Sequence, residues 1–341
     1  MASGASRSLH RSLTAALVLT TSTLCASAAD FYQGKQINVV VGVDAGSGYD
    51  AYARLLTRHM GKYIPGHPNF VVQNMPGAGS ITAAQYLANV AAKDGTAFGT
   101  VSPGALAEPM TGEASKYRYQ PTKFEYLGTM DSGTRLCFSM ADSGIRSIDD
   151  VKQRKVVTAA TAAGSSTTDY AWFMNALAGT KFEVVSGYKG PGDVFLALER
   201  GEATTVCSLD SATVNSLRPD WISSGKVTVL MQAGLEPSPR FKAPSVWNYI
   251  KPEDKPVVEL IVGQQFFGRP FLAPPGTPPQ AMQILRKAFM QAVQDPALIA
   301  EAEKMKLDIH PKSGEQVAAL INKMYSAPPD IIERMKKALR P

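Results

Sequence analysis

The sequence lacks the motifs of common hydrolases, metal enzymes and nucleotide-binding enzymes. Its 341 residues include only three cysteines and four histidines, and none of them has the spacing of a metal site. A G-x-S-x-G nucleophile turn, an H-E-x-x-H pair, a C-x-x-C pair and a Walker loop are all missing. We therefore predict a protein that is not an enzyme and that holds no metal and no cofactor.

Long apolar segments are missing too, except near the start of the chain. Arg7 and Arg11 precede an apolar stretch, residues 13–24, that is too short to span a bilayer comfortably. Ala26-Ser27-Ala28 follows, in the small-residue pattern of a signal-peptide cleavage site. We predict that residues 1–29 are a signal peptide and that the mature protein is periplasmic.

Two alternatives to a cleaved signal peptide fit this N-terminus less well. A membrane anchor would need a longer apolar run. A lipoprotein anchored through Cys25 would need a small residue where the sequence has Leu24. Cleavage is expected after Ala28 or Ala29, and it lowers the formal net charge from +6 to +4 because two arginines are removed.

The composition also lacks a strong excess of one charge. Hydrophobic residues make up 45% of the chain and charged residues 19%, without a run of lysine or arginine. This balance argues against disorder and against nucleic acid as a partner. A weak positive charge is compatible with a small anionic ligand. The length exceeds what one hydrophobic core usually organises, so two lobes are expected.

Cysteine is scarce in the mature chain, where only Cys137 and Cys207 remain. Both lie in apolar runs that resemble strands. An oxidising compartment permits a disulfide between them. Two buried free thiols are the alternative, and we favour it slightly.

Short apolar runs alternate with helical patterns along most of the chain. Runs such as residues 37–43 and 156–159 are unbroken, which is typical of strands covered on both faces. This pattern predicts an α/β fold with mostly parallel sheets. The rhythm restarts after residues 126–130, and the last third of the chain is predicted to be helical.

Two glycine-rich turns each join a predicted buried strand to a helix. Glycine lets the backbone approach a ligand, and the first amides of a helix are unpaired donors at the positive end of its dipole. Two such turns in separate half-sheets indicate an anion site, although tight turns use glycine and serine anyway. The candidate site residues are Ala45, Gly46, Ser47, Gly48, Tyr49 and Asp50 in the first turn and Gly164, Ser165, Ser166, Thr167 and Thr168 in the second.

Further candidates lie at the ends of other predicted strands, where open α/β sheets bind their ligands. They are Gly79 and Ser80 in a third glycine-rich turn, Ser102 after the third strand, and Ser208 and Asp210 at the end of a later strand. Among all these candidates, Asp50 is interpreted as a helix N-cap, with a hydrogen bond to a ligand as its alternative role.

The first turn also fits the dinucleotide pattern G-x-G-x-x-A, over residues 46–51. That mechanism needs an acidic residue at the end of the second strand to hold the ribose. The strand ends instead in Val72-Gln73-Asn74. An exported protein also has no ready supply of nicotinamide cofactor, so nicotinamide binding is not expected.

Several blocks occur together in a specific order. The most specific are Asn-x-Pro-Gly-Ala-Gly at residues 74–79 and Pro-Gly-Thr-Pro at residues 275–278. With them, nearly the whole mature chain resembles the exported solute receptors of tripartite tricarboxylate transporters, the TctC or Bug family. Tyr49 and the pair Asp169-Tyr170 depart from the usual residues of this family, so a particular ligand such as citrate is not inherited.

The resemblance implies a type II periplasmic-binding-protein fold, with two doubly wound lobes joined by crossover segments that close on a ligand. We expect lobe 1 over residues 30–132 plus 234–341 and lobe 2 over residues 133–233. The family's ligands are small carboxylates held largely by backbone amides and water at two facing loops, here residues 45–50 and 164–168. The expected partners are a small organic anion and the membrane permease subunits of a tripartite transporter, with the protein itself a monomer.

Two other functions stay open at this stage. A sensor that presents a ligand-loaded lobe to a signalling partner would have the same sequence features. An exported α/β enzyme is the third hypothesis, and no motif supports it.

Overall fold

Two mixed β-sheets form the frame of the computed structural model, which describes residues 31–112, 116–161, 165–239 and 241–340. The predicted signal peptide and Gly164 lie outside the described residues. The strands are β1 (Gln36–Val41), β2 (Asn69–Asn74), β3 (Ala97–Thr100), β4 (Glu125–Thr129), β5 (Arg135–Met140), β6 (Val156–Ala160), β7 (Phe182–Ser186), β8 (Thr205–Asp210), β9 (Val227–Ala233), β10 (Pro270–Ala273) and β11 (Lys312–Ser313).

Sheet A has the strand order β11-β4-β10-β3-β1-β2, and sheet B has the order β7-β6-β8-β5-β9. Strand β1 runs parallel to β2 and β3, and β6 runs parallel to β7 and β8. Strand β10 is antiparallel to β3 and β4, β11 to β4, and β5 to β8 and β9. The prediction of mostly parallel sheets is therefore wrong. In sheet A, β10 and β11 return from the far end of the chain in the opposite direction, and in sheet B, β5 runs against both of its neighbours.

Helices connect the strands and cover both sheets. They are α1 (Gly48–Met60), α2 (Ile81–Asn89), α3 (Pro103–Thr111), α4 (Ile148–Gln153), α5 (Ser166–Ala178), α6 (Pro191–Glu199), α7 (Ser211–Leu217), α8 (Lys255–Val262), α9 (Pro279–Val293), α10 (Pro296–Lys304), α11 (Gly314–Tyr325) and α12 (Pro329–Ala338). The last third is mainly helical as predicted, but it also supplies β10 and β11 to sheet A.

Buried apolar side chains form three clusters around these sheets. One includes Val39 of sheet A and Phe289 of α9. A second includes Phe138 of sheet B and Trp221, whose ring centroids lie 6.3 Å apart. The largest draws on both sheets and on the C-terminal helices. Among the described residues, no helix combines the length and the apolar character that a membrane crossing requires.

Cys137 and Cys207 form a disulfide within sheet B. Their strands, β5 and β8, are antiparallel neighbours, and Leu136 pairs with Leu209. This register brings the two cysteines side by side, with Cα atoms 3.9 Å apart. Our slight preference for free thiols is therefore wrong, because it took no account of which strands are neighbours.

Candidate functional site

The first turn, residues 45–50, lies between β1 and α1 and is held by a carboxylate. The hydroxyl of Ser47 accepts a hydrogen bond from the N–H of Asp50 at 3.4 Å, so Ser47 is the N-cap of α1. The Asp50 carboxylate, only 3% exposed, accepts from the N–H of Gly46 at 2.8 Å and from Nδ2 of Asn74 at 3.0 Å. The interpretation of Asp50 as the N-cap is wrong, because this side chain reaches back to hold the turn instead.

The charge of Asp50 is balanced inside the turn. Arg54, one helical turn further along α1, donates from Nε to the carboxylate at 3.0 Å. Burial alone would raise the pKa of Asp50, but the hydrogen bonds from Arg54, Gly46 and Asn74 outweigh burial and lower it. The carboxylate is thus ionised at neutral pH and occupied by the protein's own donors.

Two backbone amides of the first turn stay available. The N–H groups of Gly48 and Tyr49, the first two residues of α1, have no acceptor among the described residues. Ala45, Gly46 and Gly48 are exposed. Gly46 has φ of 78°, in the left-handed region, and an added Cβ would meet no atom within 4 Å. Backbone conformation rather than space therefore favours glycine at this position.

The second turn leads from β6 into α5 and is held by hydroxyl groups. The hydroxyl of Thr167 accepts from the N–H of Thr161 at 3.0 Å and lies 2.8 Å from the hydroxyl of Ser165. Thr168 donates to the carbonyl of Ser165 at 2.7 Å. Within the part of the chain that the structure describes, the N–H groups of Ser166 and Thr167 have no acceptor. The first two amides of α5 therefore match those of α1.

The third turn supports the first one from within the fold. Ser80 is buried and donates from its hydroxyl to the carbonyl of Gly42 at 2.9 Å, and it accepts from the N–H of Ser102 at 3.1 Å. Ser102 donates to the carbonyl of Gly79 at 2.6 Å. These three predicted site residues are thus brought together just beyond the ends of β1 and β3, and the two hydroxyls are engaged by the backbone.

The end of β8 carries an ion pair. Asp210 caps α7 through the N–H of Thr213 at 2.7 Å and accepts from Nη1 of Arg135 at 2.8 Å. Arg135 also donates to Oε1 of Gln265 at 2.5 Å. Burial would raise the pKa of Asp210, but the charge of Arg135 and the bonds from Thr213 outweigh burial and lower it. Asp210 is therefore ionised and paired with Arg135.

Contacts near Asp308 join the end of β8 to α1. Ser211, the first residue of α7, donates to the Asp308 carboxylate at 3.5 Å. The hydroxyl of Tyr52 on α1 donates to the carbonyl of Asp308 at 2.7 Å. The structure thus brings the predicted residues at the end of sheet B close to the helix that starts at the first turn.

Arg269 is a residue near the first turn that the sequence analysis missed. Its guanidinium lies over the ring of Tyr49, 4.4 Å from the centroid, and 5.3 Å from the centroid of Tyr52. It precedes β10, a short strand that the helical prediction overlooked. One signal for this strand and its arginine was present in the sequence: Gly268 and Arg269 stand directly before the apolar run Pro270-Phe271-Leu272-Ala273.

Some buried polar atoms next to these features have no hydrogen-bond partner among the described residues. They include Nε of Arg269 and the hydroxyl of Ser208. Ser208 also has φ of 62°, which is uncommon for a residue with a side chain. Buried polar groups almost always have partners, so unpaired ones are what a site for a polar ligand would leave.

Asp169 gives the second turn a titratable group. Burial raises its pKa to about 7; a hydrogen bond from Thr168 lowers the pKa, and the nearby charge of Glu108 on α3 raises it. The position that departs from the usual family sequence is therefore close to half ionised at neutral pH. Its charge acts beside the free amides of α5.

Comparison with known proteins gives a family and a fold. The model of the tripartite tricarboxylate transporter family receptor, TctC, matches residues 53–336. A curated relative from Cupriavidus necator, described as a UPF0065 protein in the gbd 5' region, is 28% identical over 317 residues. That alignment covers 90% of this chain and 89% of the relative.

Three solved structures have similar folds. A TctC solute binding protein from Polaromonas, without ligand, has a TM-score of 0.70 at 18% identity, covering 89% of this chain and 99% of its own. MatC from Rhodopseudomonas palustris with bound malate has a TM-score of 0.60 at 20% identity, covering 90% and 99%. Another R. palustris protein, with adipate, has a TM-score of 0.62 at 18% identity, covering 89% and 97%. The predicted fold class is thereby confirmed.

Proposed function

The chain belongs to the receptor family of tripartite tricarboxylate transporters, and from this premise we propose that it captures a small carboxylate and passes it to the membrane subunits of such a transporter. The family and the fold are those of substrate-binding proteins, in agreement with the prediction that the chain is not an enzyme. Members of the family are periplasmic, and we place this protein in the periplasm after cleavage of residues 1–29.

The observation that carries the proposal is two matched pairs of amides, at the starts of two helices, that have no acceptor among the described residues. Gly48 and Tyr49 offer two N–H groups on α1, and Ser166 and Thr167 offer two on α5. Amides at a helix N-terminus bind anions well, because the helix dipole favours negative charge there. The similar proteins with bound malate and adipate support a carboxylate as the anion.

The two turns belong to different sheets, and this supports a mechanism of closure. We assign residues 30–132 plus 234–341 to lobe 1 and residues 133–233 to lobe 2. The strands of sheet A and sheet B divide along the chain in the same way. A ligand that contacts both turns binds the closed form more tightly than the open form and shifts the equilibrium toward closure.

A thermal-shift screen tests the ligand class. Malate, succinate, adipate and citrate are compared with acetate and with the uncharged dimethyl ester of adipic acid. A ligand that binds only the native state raises the melting temperature, so at least one carboxylate should raise it while the diester does not. Absence of a shift with every carboxylate would contradict the proposal.

Proline at the first helical position tests the amides themselves. Gly48→Pro deletes one N–H at a position where helices accept proline, and Ser47 before it is extended, as a residue before proline must be. Gly48→Ala adds a side chain but keeps the N–H, so it is the matched control. We expect Gly48→Pro to weaken carboxylate binding about tenfold and Gly48→Ala to change it little, by titration calorimetry.

The same pair of variants applies to the second turn. Ser166→Pro removes the first N–H of α5, and Ser166→Ala keeps it; Ser165 in front is extended, as required. A similar loss with both proline variants is expected if both turns contact the ligand. Equal affinities for the proline and alanine variants at both turns would exclude a role for these amides.

A further inference from the structure

Arg269 has a fixed place beside the first turn. Its N–H donates to the hydroxyl of Thr129 at 3.1 Å, and its carbonyl accepts from the N–H of Met130 at 3.2 Å, so the backbone is tied to the end of β4. Its Nη2 lies 3.8 Å from where a Cβ would stand on Gly48. The guanidinium is therefore next to one of the free amides of α1.

The guanidinium lacks a close counter-ion. In the described ranges, no carboxylate lies within the 4.0 Å of a salt bridge to Arg269, whereas Arg135 is paired with Asp210. Among the residues that the structure describes, its side chain donates to the carbonyl of Gly268, 2.9 Å from Nη1, and Nε is buried without an acceptor. A desolvated cation without a partner is costly, and an anion placed beside it removes that cost.

The side chain stays charged over the whole physiological pH range. Burial alone would lower the pKa of Arg269, but the surrounding groups Tyr49, Asp131, Asp210 and Tyr52 outweigh burial and raise it. Asp131 and Asp210 lie beyond salt-bridge distance and offset its charge only in part. The guanidinium also lies over the face of Tyr49, where a cation is attracted to the ring, and Nε and Nη2 have no acceptor among the described residues.

We infer that Arg269 binds one carboxylate of the ligand directly, next to the amides of the first turn, and that it makes the receptor prefer dianions to monoanions. This inference rests on the proposed function and adds a charged side chain to a site otherwise built from backbone amides. An arginine fork offers two parallel hydrogen bonds to a carboxylate, which an amide pair complements without competing for the same lone pairs.

Titration calorimetry at pH 7 with matched probes tests the inference. Succinate and adipate carry two carboxylates, and their monomethyl esters carry one at the same chain length. We expect the wild type to bind at least one diacid about tenfold or more tightly than its monoester. Arg269→Gln should weaken diacid binding about 10- to 100-fold and remove most of this preference, since a charged hydrogen bond is lost.

Two further variants separate charge from folding. Arg269→Lys keeps the charge but not the fork, so an intermediate loss is expected. Arg286→Gln is the control, because Arg286 is a half-buried arginine of α9 that bonds the carbonyl of Tyr126 and Glu125, outside the site. Its affinity for the diacids should equal that of the wild type. Melting temperatures without ligand show that each variant is folded.

The outcomes distinguish this inference from the proposed function. Diacid binding that survives Arg269→Gln at wild-type affinity and preference overturns the role of Arg269 and leaves the receptor function standing. A wild type that binds none of the carboxylates overturns both. If Arg269→Gln does not fold, equal diacid affinities for the wild type and Arg269→Lys overturn the inference.

Discussion

The two turns share one outline and differ in what holds them together. Each follows a buried strand and starts a helix of 13 residues. In both, the first two amides of that helix have no acceptor within the described ranges. The first turn is closed by an ionised carboxylate, Asp50, with Arg54 as its counter-ion. The second is closed by neutral hydroxyls centred on Thr167.

As a result, the two turns have different charged groups around them. The first turn has its own ion pair and the cation of Arg269 beside it. The second turn has Asp169, whose pKa is raised to about 7 mainly by burial. Two turns with the same backbone geometry should therefore respond differently to mutation and to pH, and each contrast is measurable.

Loss of the carboxylate in the first turn should have the largest effect. Asp50→Ala leaves the N–H of Gly46 without its acceptor, removes one of the two acceptors of Asn74 Nδ2 and deprives Arg54 of its ion-pair partner. We expect about 2–4 kcal/mol of lost stability and carboxylate binding weakened about 100-fold, measured by denaturant unfolding and calorimetry.

The control for Asp50→Ala is Asp150→Ala. Asp150 accepts from the N–H groups of Arg146 and Ser147 at the start of α4, away from the two turns. The Asp150→Ala protein should lose stability but keep its affinity for carboxylates. A folded Asp50→Ala protein with wild-type affinity would show that this turn does not need its carboxylate.

Because the folded pKa of Asp50 is lowered, its contribution to stability is complete above the unfolded pKa and is lost only as pH falls below about 4.

Removal of the Thr167 hydroxyl, around which the second turn is closed, should have a smaller effect. Thr167→Val keeps the shape of the side chain but leaves the N–H of Thr161 unpaired. We expect about 1–3 kcal/mol of lost stability and about tenfold weaker binding. Thr158→Val, which removes a buried hydroxyl donor to the carbonyl of Thr205 within sheet B, should lose stability without losing affinity. Equal affinities for both valine variants would contradict a role of the Thr167 hydroxyl in ligand binding.

The sequence predicted the two turns and the unpaired first amides of their helices, but not the side chains that hold the turns. An unbroken apolar run followed by glycine, serine and a helical pattern is a local signal. It correctly predicts the positions of the two strand–turn–helix units. Which donor meets which acceptor depends on neighbours distant in the chain. Asn74 comes from β2 to meet Asp50, and Gly42 lies against Ser80 of the third turn.

Sheet order was likewise beyond the reach of sequence patterns. The disulfide follows from β5 and β8 being antiparallel neighbours, and no periodicity in either strand encodes that pairing. Strand β10 has four residues, too few for a period to show, and it enters sheet A from the far end of the chain. Arg269 was missed for the same reason, since its importance comes from the place of that strand.

The charge of Asp169 should have the smallest effect, and it sharpens the contrast through pH. Burial raises the pKa of Asp169 in the folded state, so between pH about 4 and about 7 the unfolded chain has released this proton while the folded state still holds it. The folded state therefore loses stability as pH rises through this range. The ionised form also repels an anion at α5. We expect wild-type affinity for a dianion such as succinate to fall about two- to fivefold between pH 6.5 and pH 8. Asp169→Asn should remove that fall and be more stable than the wild type at pH 8.

Glu108→Gln is the matched variant for Asp169. It removes the neighbouring charge on α3 that helps to raise the pKa of Asp169. The midpoint of the affinity change should therefore move to lower pH while its size stays the same, because Asp169 is still present. An Asp169→Asn protein that keeps the wild-type pH dependence would assign the titration to another group. The first turn, with the lowered pKa of Asp50, should contribute nothing to it in this range.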